Sequence, residues 1–292
     1  MFEYMKLHVI TIATGVYNIY LNNLINSIFN VLQKELLKFN IDIDINIISD
    51  KNYISENSEY NNIIKNYHII DMPYPLIPLS KLLYIYDVYK VNNYDLNDKF
   101  IYVDADSYFI SDCDYSTIVN DILDNDMVFA ISPWIWDKEL SSSDNYVISL
   151  CENPKYNSAS YRKNPVNKNF SQTSFFSTSG LMLNKLNNII YNYVSLDLNI
   201  NVNNRYIPKM SEQSYINKFL DEQLNNNNIL IDDCKIKVDK YIFNDYSDLY
   251  INNPKKYKDY INKFSNKIFV IQKMKYHLKD KKRNNYKYNI DY

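Results

Sequence analysis

Lys99-Phe-Ile-Tyr-Val-Asp-Ala-Asp106 is a short apolar run, rich in β-formers, that stops on two carboxylates. It predicts a buried strand whose carboxyl end carries Asp104 and Asp106. Upstream, Leu7 to Ala13 is another β-branched run, broken by Thr14-Gly15. Tyr17 to Leu37 follows with apolar residues at Tyr17, Tyr20, Leu21, Leu24, Ile28 and Leu32, the spacing of an amphipathic helix. Ile41 to Ile48 is strand-like again and stops at Ser49-Asp50. Strand, helix and strand in that order make a βαβ unit and hence a parallel sheet. In an open α/β sheet, ligands bind outside the carboxyl ends of the strands, which is where Asp50, Asp104 and Asp106 are expected.

Outward from this core, Pro73, Pro75 and Pro78 punctuate a loop before a helical stretch from Leu79 to Val91. Met127 to Ile131 reads as a strand, the polar stretch from Ser141 to Asn169 as loop, and Phe175 to Leu183, with Gly180 inside it, as a strand or strand edge. Helices are expected at Leu186–Val194 and Glu212–Leu224, the second with Ser211 as N-cap. Asn225–Asn228 reads as a surface loop, and Lys267–Ile271 as a last strand before a strongly basic segment. No internal repeat and no interdomain linker is evident.

Composition narrows the classes. The chain has 292 residues, 46% hydrophobic and 23% charged, enough to bury a sizeable core. Its formal net charge of −2 gives no overall positive field, which argues against nucleic acid as the main partner. Only two Gly occur beside thirty Tyr and abundant Asn, Ile and Lys, the bias of an AT-rich coding sequence. Gly15 and Gly180, kept against that bias, are expected where a side chain does not fit. Three cysteines without Cys-x-x-Cys spacing argue against a disulfide framework or a zinc knuckle. No apolar run reaches the roughly 18–20 residues needed to span a bilayer, and the opening residues do not read as a signal peptide, so a soluble cytoplasmic protein is expected.

Two carboxylates at i and i+2 on extended backbone point to one side and can serve one cation. Mg²⁺ and Mn²⁺ take such oxygen ligands together with substrate phosphates. His277 lies in the basic stretch Gln272–Arg283, where it reads as a metal- or phosphate-side residue with Lys275 and Lys279 neutralising a diphosphate, or as part of a solvated basic segment. Glu212 and Gln213 begin a helix on which Gln213 and Asn217 share a face. His8 and His68, with no acidic or cysteine neighbour at ligand spacing, read as structural. The chain has no Walker loop, GxGxxG, HExxH or GxSxG, which weakens P-loop, dinucleotide, zincin and serine-hydrolase chemistry.

Taken in order, these segments resemble a glycosyltransferase of the GT-A type, most closely glycosyltransferase family 6, the retaining family of the histo-blood-group A and B transferases and α1,3-galactosyltransferase. Ile10 to Leu21 looks like that family's nucleotide-binding first strand and turn, and Ile47-Ile-Ser-Asp50 like the end of its second strand. Pro75 to Asp87 resembles the helix bearing a basic donor contact, here Lys81, and Asp104-Ala-Asp106 matches the metal-binding DxD. Phe175 to Leu183 is similar to the segment bordering donor sugar and acceptor, and Ser211 to Phe219 to the segment carrying the catalytic Glu. Aligned without a gap, Gln213 falls on that Glu and Glu212 on the preceding Asp. Acid-Gln-x-x-apolar-Asn is also the pattern of glycosyltransferase family 8. Ile271 to His277, with Lys279, resembles the C-terminal stretch that closes over the diphosphate.

The resemblance implies an α/β protein of GT-A fold, with a single Rossmann-like mixed sheet flanked by helices. It implies one domain over residues 1–292, divided into a nucleotide-binding half (1–110), a donor-sugar and acceptor half (111–265) and a basic closing segment (266–292). Ile12, Ala13, Thr14, Tyr17, Asp50, Lys81, Asp104, Ser179, Gly180, Lys275 and Lys279 would contact nucleotide or donor. Asp104, Asp106 and His277 would hold Mn²⁺ or Mg²⁺, and Glu212 or Gln213 would face the anomeric carbon. The implied activity is transfer of a hexose, Gal or GalNAc favoured, from a UDP-sugar to a glycan acceptor with an α1,3 linkage, by a soluble bacterial or viral enzyme. A family 8-like transferase and a catalytically silent sugar-nucleotide- or glycan-binding protein are the alternatives.

Overall fold

Strand β1 (Met5–Ala13) lies parallel to β2 (Ile41–Ser49), from Met5 opposite Ile41 to Ala13 opposite Ser49. This is the βαβ pairing expected from the opening residues. The structure is a computed structural model that describes residues 5–72, 76–111, 113–131, 171–199, 212–225, 234–239, 242–245 and 270–273. β3 (Ile64–His68) adds to the outer edge of β2, and β4 (Lys99–Val103) runs parallel to β1 on its other side. β7 (Ser171–Ser179) pairs antiparallel with both β4 and β6 (Met127–Ile131), and β8 (Ile236–Asp239) runs parallel to β6. The resulting order is β3-β2-β1-β4-β7-β6-β8, a Rossmann-like mixed α/β sheet.

Both faces of the sheet are covered by helices, so the polar residues that β1 and β2 set between their aliphatics, among them His8, Thr11, Asp44 and Asn46, are buried as well. Leu7, Val9 and Ala13 of β1 join one core layer with helices α1 (Leu21–Ser27), α2 (Lys34–Leu37) and α4 (Tyr115–Asp124). Ile10 and Ile12 join the other, formed by α3 (Leu76–Val91), α5 (Gly180–Asn199) and α6 (Glu212–Asn225). The helical connection between β1 and β2 is not one regular helix. A 3-10 turn at Gly15–Tyr20 precedes α1, and a π-helical stretch at Ile28–Gln33 joins α1 to α2 while keeping Ile28, Phe29 and Leu32 buried. Asn40, at φ 58°, then turns the chain into β2, a conformation Asn tolerates better than most residues.

A second sheet departs from the expected single one. β5 (Ser107–Phe109), β9 (Ile242–Asp245) and β10 (Val270–Lys273) form it in the order β5-β10-β9. The last predicted strand belongs here, not in the main sheet, because it pairs antiparallel with the residues that follow the two carboxylates. The segment from Phe175 to Leu183 is also not all strand: it ends at Ser179, and Gly180 starts α5, which places Met182 and Leu183 in a helix packed on the core. α3 begins at Leu76, ahead of the expected Leu79, and takes Pro78 into its first turn, where a missing amide costs no helical hydrogen bond.

His8 does have an acidic neighbour, brought by parallel register rather than by sequence spacing. It lies opposite Asp44, and its Nδ1 is 2.7 Å from Asp44 Oδ1 with both side chains nearly fully buried. Asn46 and Tyr94 also donate to that carboxylate, at 3.1 Å each. The cluster crosslinks β1, β2 and the turn after α3, in keeping with a structural histidine.

Candidate functional site

The site is built at the carboxyl ends of β1, β2 and β4, which the parallel register brings to one sheet edge. Thr14 follows β1, and Tyr17 N–H donates to the Thr14 carbonyl at 3.0 Å to close the 3-10 turn. Gly15 there has φ 55°, a left-handed conformation, and a Cβ on it would lie 3.1 Å from Asp71 Oδ2. The bias-resisting glycine thus has its reason. Asp50, just past β2, accepts the Gly15 N–H at 3.1 Å and the Asn18 side-chain amide at 2.7 Å. Asn18 in turn accepts the Ser49 hydroxyl at 2.7 Å. The first-strand turn and the second-strand end are therefore locked into one polar cradle.

On the other side of β1, about 10 Å from β2 by strand spacing, lies Asp104. Val103 is the last residue of β4, and the Ser107 N–H donates to the Asp104 carbonyl at 3.0 Å. Asp104-Ala-Asp106 is thus a tight turn, not the extended backbone on which i and i+2 share a side. The turn leaves the Asp104 side chain 27% exposed and Asp106 buried. Asp104 Oδ1 accepts the Tyr102 hydroxyl at 2.6 Å and the Lys81 ammonium at 3.2 Å. Lys81, projecting from α3, is itself buried, donates to the Thr173 carbonyl at 3.2 Å and stands 4.5 Å over the Tyr102 ring. A buried lysine is tolerable because a carboxylate, a carbonyl and an aromatic face replace its water.

β7 reaches this point with a bulge. Against β6, Phe129 faces Phe176 whereas Ala130 faces Gln172, so extra residues are accommodated around Thr173 and Ser174. Bulges recur beside functional sites because they re-aim side chains. Asp104 N–H donates to the Ser174 carbonyl at 2.8 Å. The Ser107 and Ser174 hydroxyls, adjoining the two carboxylates, are buried and take no hydrogen bond among the described residues. Two hard carboxylates with buried hydroxyls beside them suit Mg²⁺ or Mn²⁺. Among the described residues, no group of three or more His, Cys, Asp or Glu could hold a metal ion by itself. A cation on Asp104 and Asp106 would complete its coordination with other groups, ligand phosphates being the usual source for Mg²⁺.

The structure brings Ile12, Ala13, Thr14, Tyr17, Asp50, Lys81, Asp104 and Asp106 to this edge. It does not bring Ser179 and Gly180 there. Ser179 lies opposite Lys99 at the far end of β4, about 16 Å along the strand from Asp104. Its hydroxyl oxygen accepts the Met182 N–H at 3.1 Å, so it caps α5. A Cβ on Gly180 would lie 2.4 Å from the Asp95 carbonyl oxygen. Both residues build the start of a helix rather than a sugar pocket. Glu212 and Gln213 open α6, which packs on the core through Tyr215, Ile216 and Phe219. Their side chains, and Lys275, His277 and Lys279 altogether, lie outside the described residues. The backbone of β10 nevertheless runs toward the carboxylates: Gln272 pairs with Ser107, next to Asp106.

Sequence reasoning missed Asn18, Tyr102, Thr173 and Ser174. Tyr102 reads as one more apolar residue of a buried strand, and only the strand's end-on approach to Asp104 gives its hydroxyl a role. Among the described residues, no helix is long and apolar enough to cross a membrane. No protein-family model matches the chain, and no curated protein sequence matches it significantly.

Proposed function

We propose that the chain is a metal-dependent, retaining glycosyltransferase of GT-A type that moves a hexose, Gal or GalNAc favoured, from a UDP-sugar to a glycan acceptor. The observation that carries this is the pairing of Lys81 with Asp104 at the end of a central parallel strand, with the Asp50–Asn18 cradle two strands away. An edge of this width, with a hydrogen-bonding carboxylate at one end and the Lys81–Asp104 pair at the other, suits a nucleoside diphosphate better than a single phosphate or a neutral glycan.

The roles of the residues at this edge are assigned by position, and those of Glu212, Gln213, Lys275, His277 and Lys279 by the family resemblance. Tyr17, partly buried at the turn after β1, would meet the base beside the buried strand end Ile12-Ala13-Thr14, and Asp50 would accept hydroxyl hydrogens of the ribose. Asp104 and Asp106 hold Mn²⁺ or Mg²⁺, which when bound supplies Lewis-acid stabilisation of the leaving diphosphate. Lys81 adds fixed positive charge beside the same oxygens. At the anomeric carbon, Glu212 could attack as a carboxylate, whereas Gln213 could only stabilise an oxocarbenium-like state through its amide oxygen. Lys275, His277 and Lys279, following β10, would bring further positive charge to the diphosphate.

A thermal-shift panel of UDP, UDP-Gal, UDP-GalNAc, UDP-Glc and UDP-GlcNAc, each with Mn²⁺ and with EDTA, tests the proposal. A metal-dependent shift selective for one UDP-sugar, lost in Asp104→Asn, is expected. No shift with any of them, or an unchanged shift in Asp104→Asn, would overturn it. Binding without turnover would favour the silent sugar-nucleotide-binding alternative.

A further inference from the structure

Ser174 is only 4% exposed, yet its Oγ takes no hydrogen bond among the described residues. Burial strips a hydroxyl of its water, so leaving it unpaired is costly unless a ligand supplies the partner. Its position follows from register. β4 and β7 pair antiparallel, with Tyr102 opposite Phe176 and Val103 opposite Phe175, and the hydrogen bond from Asp104 N–H to the Ser174 carbonyl at 2.8 Å extends that register by one residue. The Tyr102 and Phe176 rings stack at 5.2 Å on the face covered by α3, α5 and α6. Asp104 and Ser174, each two residues along from that pair, end the same row, and the Tyr102 hydroxyl accordingly reaches Asp104 Oδ1 at 2.6 Å. Directly opposite residues have Cβ atoms about 4.5–5.5 Å apart, close enough for a carboxylate and a hydroxyl oxygen to share one ion. Ser107, also buried without a partner among the described residues, shares instead the face of Phe109, which packs into the opposite core layer.

We infer that Ser174 Oγ is a third protein ligand of the divalent ion on Asp104 and Asp106. This deepens the transferase proposal and rests on it for the metal. Mg²⁺ and Mn²⁺ take neutral as well as charged oxygens, and a hydroxyl can bind an ion through a lone pair while its proton stays free to donate. A neutral third ligand holds the ion without cancelling more of its charge, which is then felt by the diphosphate. The bulge in β7 serves this arrangement. It takes up the extra residues around Thr173 and Ser174 against β6, so that the register with β4 runs on unbroken to Asp104.

The test is Mn²⁺ binding to the full chain, followed by electron paramagnetic resonance, for wild type, Ser174→Ala and Ser174→Cys, with Zn²⁺ as competitor. Ser174→Ala should bind Mn²⁺ at least about tenfold more weakly than wild type. Its Tm without metal should equal or exceed the wild-type value, because no hydrogen bond within the protein is lost. In Ser174→Cys the affinity ratio of Zn²⁺ to Mn²⁺, read from the Zn²⁺ that displaces half the bound Mn²⁺, should rise at least about tenfold, since sulfur favours the softer ion; in Ser174→Ala the ratio should stay at the wild-type value. A hydroxyl with a merely structural role would not move that ratio. Wild-type Mn²⁺ affinity in Ser174→Ala, an unchanged ratio in Ser174→Cys, or a lower Tm of metal-free Ser174→Ala overturns the inference while leaving a metal-dependent transferase intact. Wild-type Mn²⁺ affinity with weakened UDP-sugar binding also overturns it, and gives the hydroxyl to the sugar nucleotide instead. Absence of Mn²⁺ binding by wild type overturns it together with the metal site of the transferase proposal.

Discussion

Gly180→Ala should destabilise the protein without acting on donor choice. A Cβ built on Gly180 lies 2.4 Å from the Asp95 carbonyl oxygen, 2.8 Å from Tyr89 Cε2 and 3.2 Å from Leu96 Cα. The first and third of these atoms are backbone, so the turn after α3 must move by about 1 Å to reach ordinary contact distance. That turn is tied to the helix start by hydrogen bonds from Gly180 N–H to the Asp98 carbonyl at 3.0 Å and from Leu181 N–H to the Leu96 carbonyl at 2.8 Å. Overpacking costs about 1–3 kcal/mol, and weakening two hydrogen bonds adds roughly 0.5–1.5 kcal/mol each. The higher helix propensity of Ala offsets at most about 1 kcal/mol. A net loss of roughly 1–6 kcal/mol follows, read as a fall in Tm and a lower urea midpoint. Wild-type Tm and midpoint with an altered response to the UDP-sugar panel would refute the reasoning, and would return Gly180 to the sugar pocket.

The buried His8–Asp44 pair gives an acid-side prediction. Burial pushes the Asp44 carboxyl up, but the His8 hydrogen bond and the positive charges of His8, Lys65 and Lys6 outweigh it and hold it below the ordinary carboxylate value. A lowered carboxyl contributes stability that is present above about pH 4 and lost as pH falls below it. Asp44→Asn should therefore lose stability less steeply than wild type in acid urea titrations; equal steepness would contradict the pairing. Asp44→Ala, which strips a partner from buried His8, should cost about 3–5 kcal/mol at neutral pH, and a cost below 1 kcal/mol would mean the pair is dispensable. On the alkaline side, burial pushes the Tyr115 phenol well above its ordinary value, and its hydroxyl donates to the Ile110 carbonyl at 2.9 Å. Above about pH 10 the unfolded chain loses this proton while the native chain keeps it, so stability falls as pH rises. Tyr115→Phe should flatten that fall by roughly 1.4 kcal/mol per pH unit, and an unchanged slope would show that Tyr115 does not contribute.

The strands that carry the site were legible because β-forming aliphatics end on turn residues in each: β4 is nearly all apolar, whereas β1 and β2 set their aliphatics between polar residues such as Lys6, His8, Asp42, Asp44 and Asn46. The edge that bears Asp50 and Asp104 follows from parallel pairing alone. β3 was not legible, since Ile64-Lys-Asn-Tyr-His68 is an edge strand with much of its surface exposed and no apolar face to report. The small sheet was hidden for a different reason. β5 has three residues, and its partner β10 lies more than 150 positions away, a pairing that only the folded chain reveals. Ser179-Gly180 was placed at the sugar by the resemblance, whereas Gly180 turns β7 into α5 at the far end of β4. The Asp104–Asp106 turn defeated the alternation argument, which holds only while the backbone stays extended. Lys81 was found through resemblance; its contact with Asp104 depends on α3 lying across the end of β7, which no local pattern encodes.

The central claim is tested most directly by proton NMR of the full chain incubated with each UDP-sugar, Mn²⁺ and a panel of glycan acceptors. Release of UDP from one donor, with a new α-configured glycosidic linkage and loss of both signals in Asp104→Asn, is the predicted result. A donor left intact with every acceptor and in water, or turnover that persists undiminished in Asp104→Asn, would contradict the account.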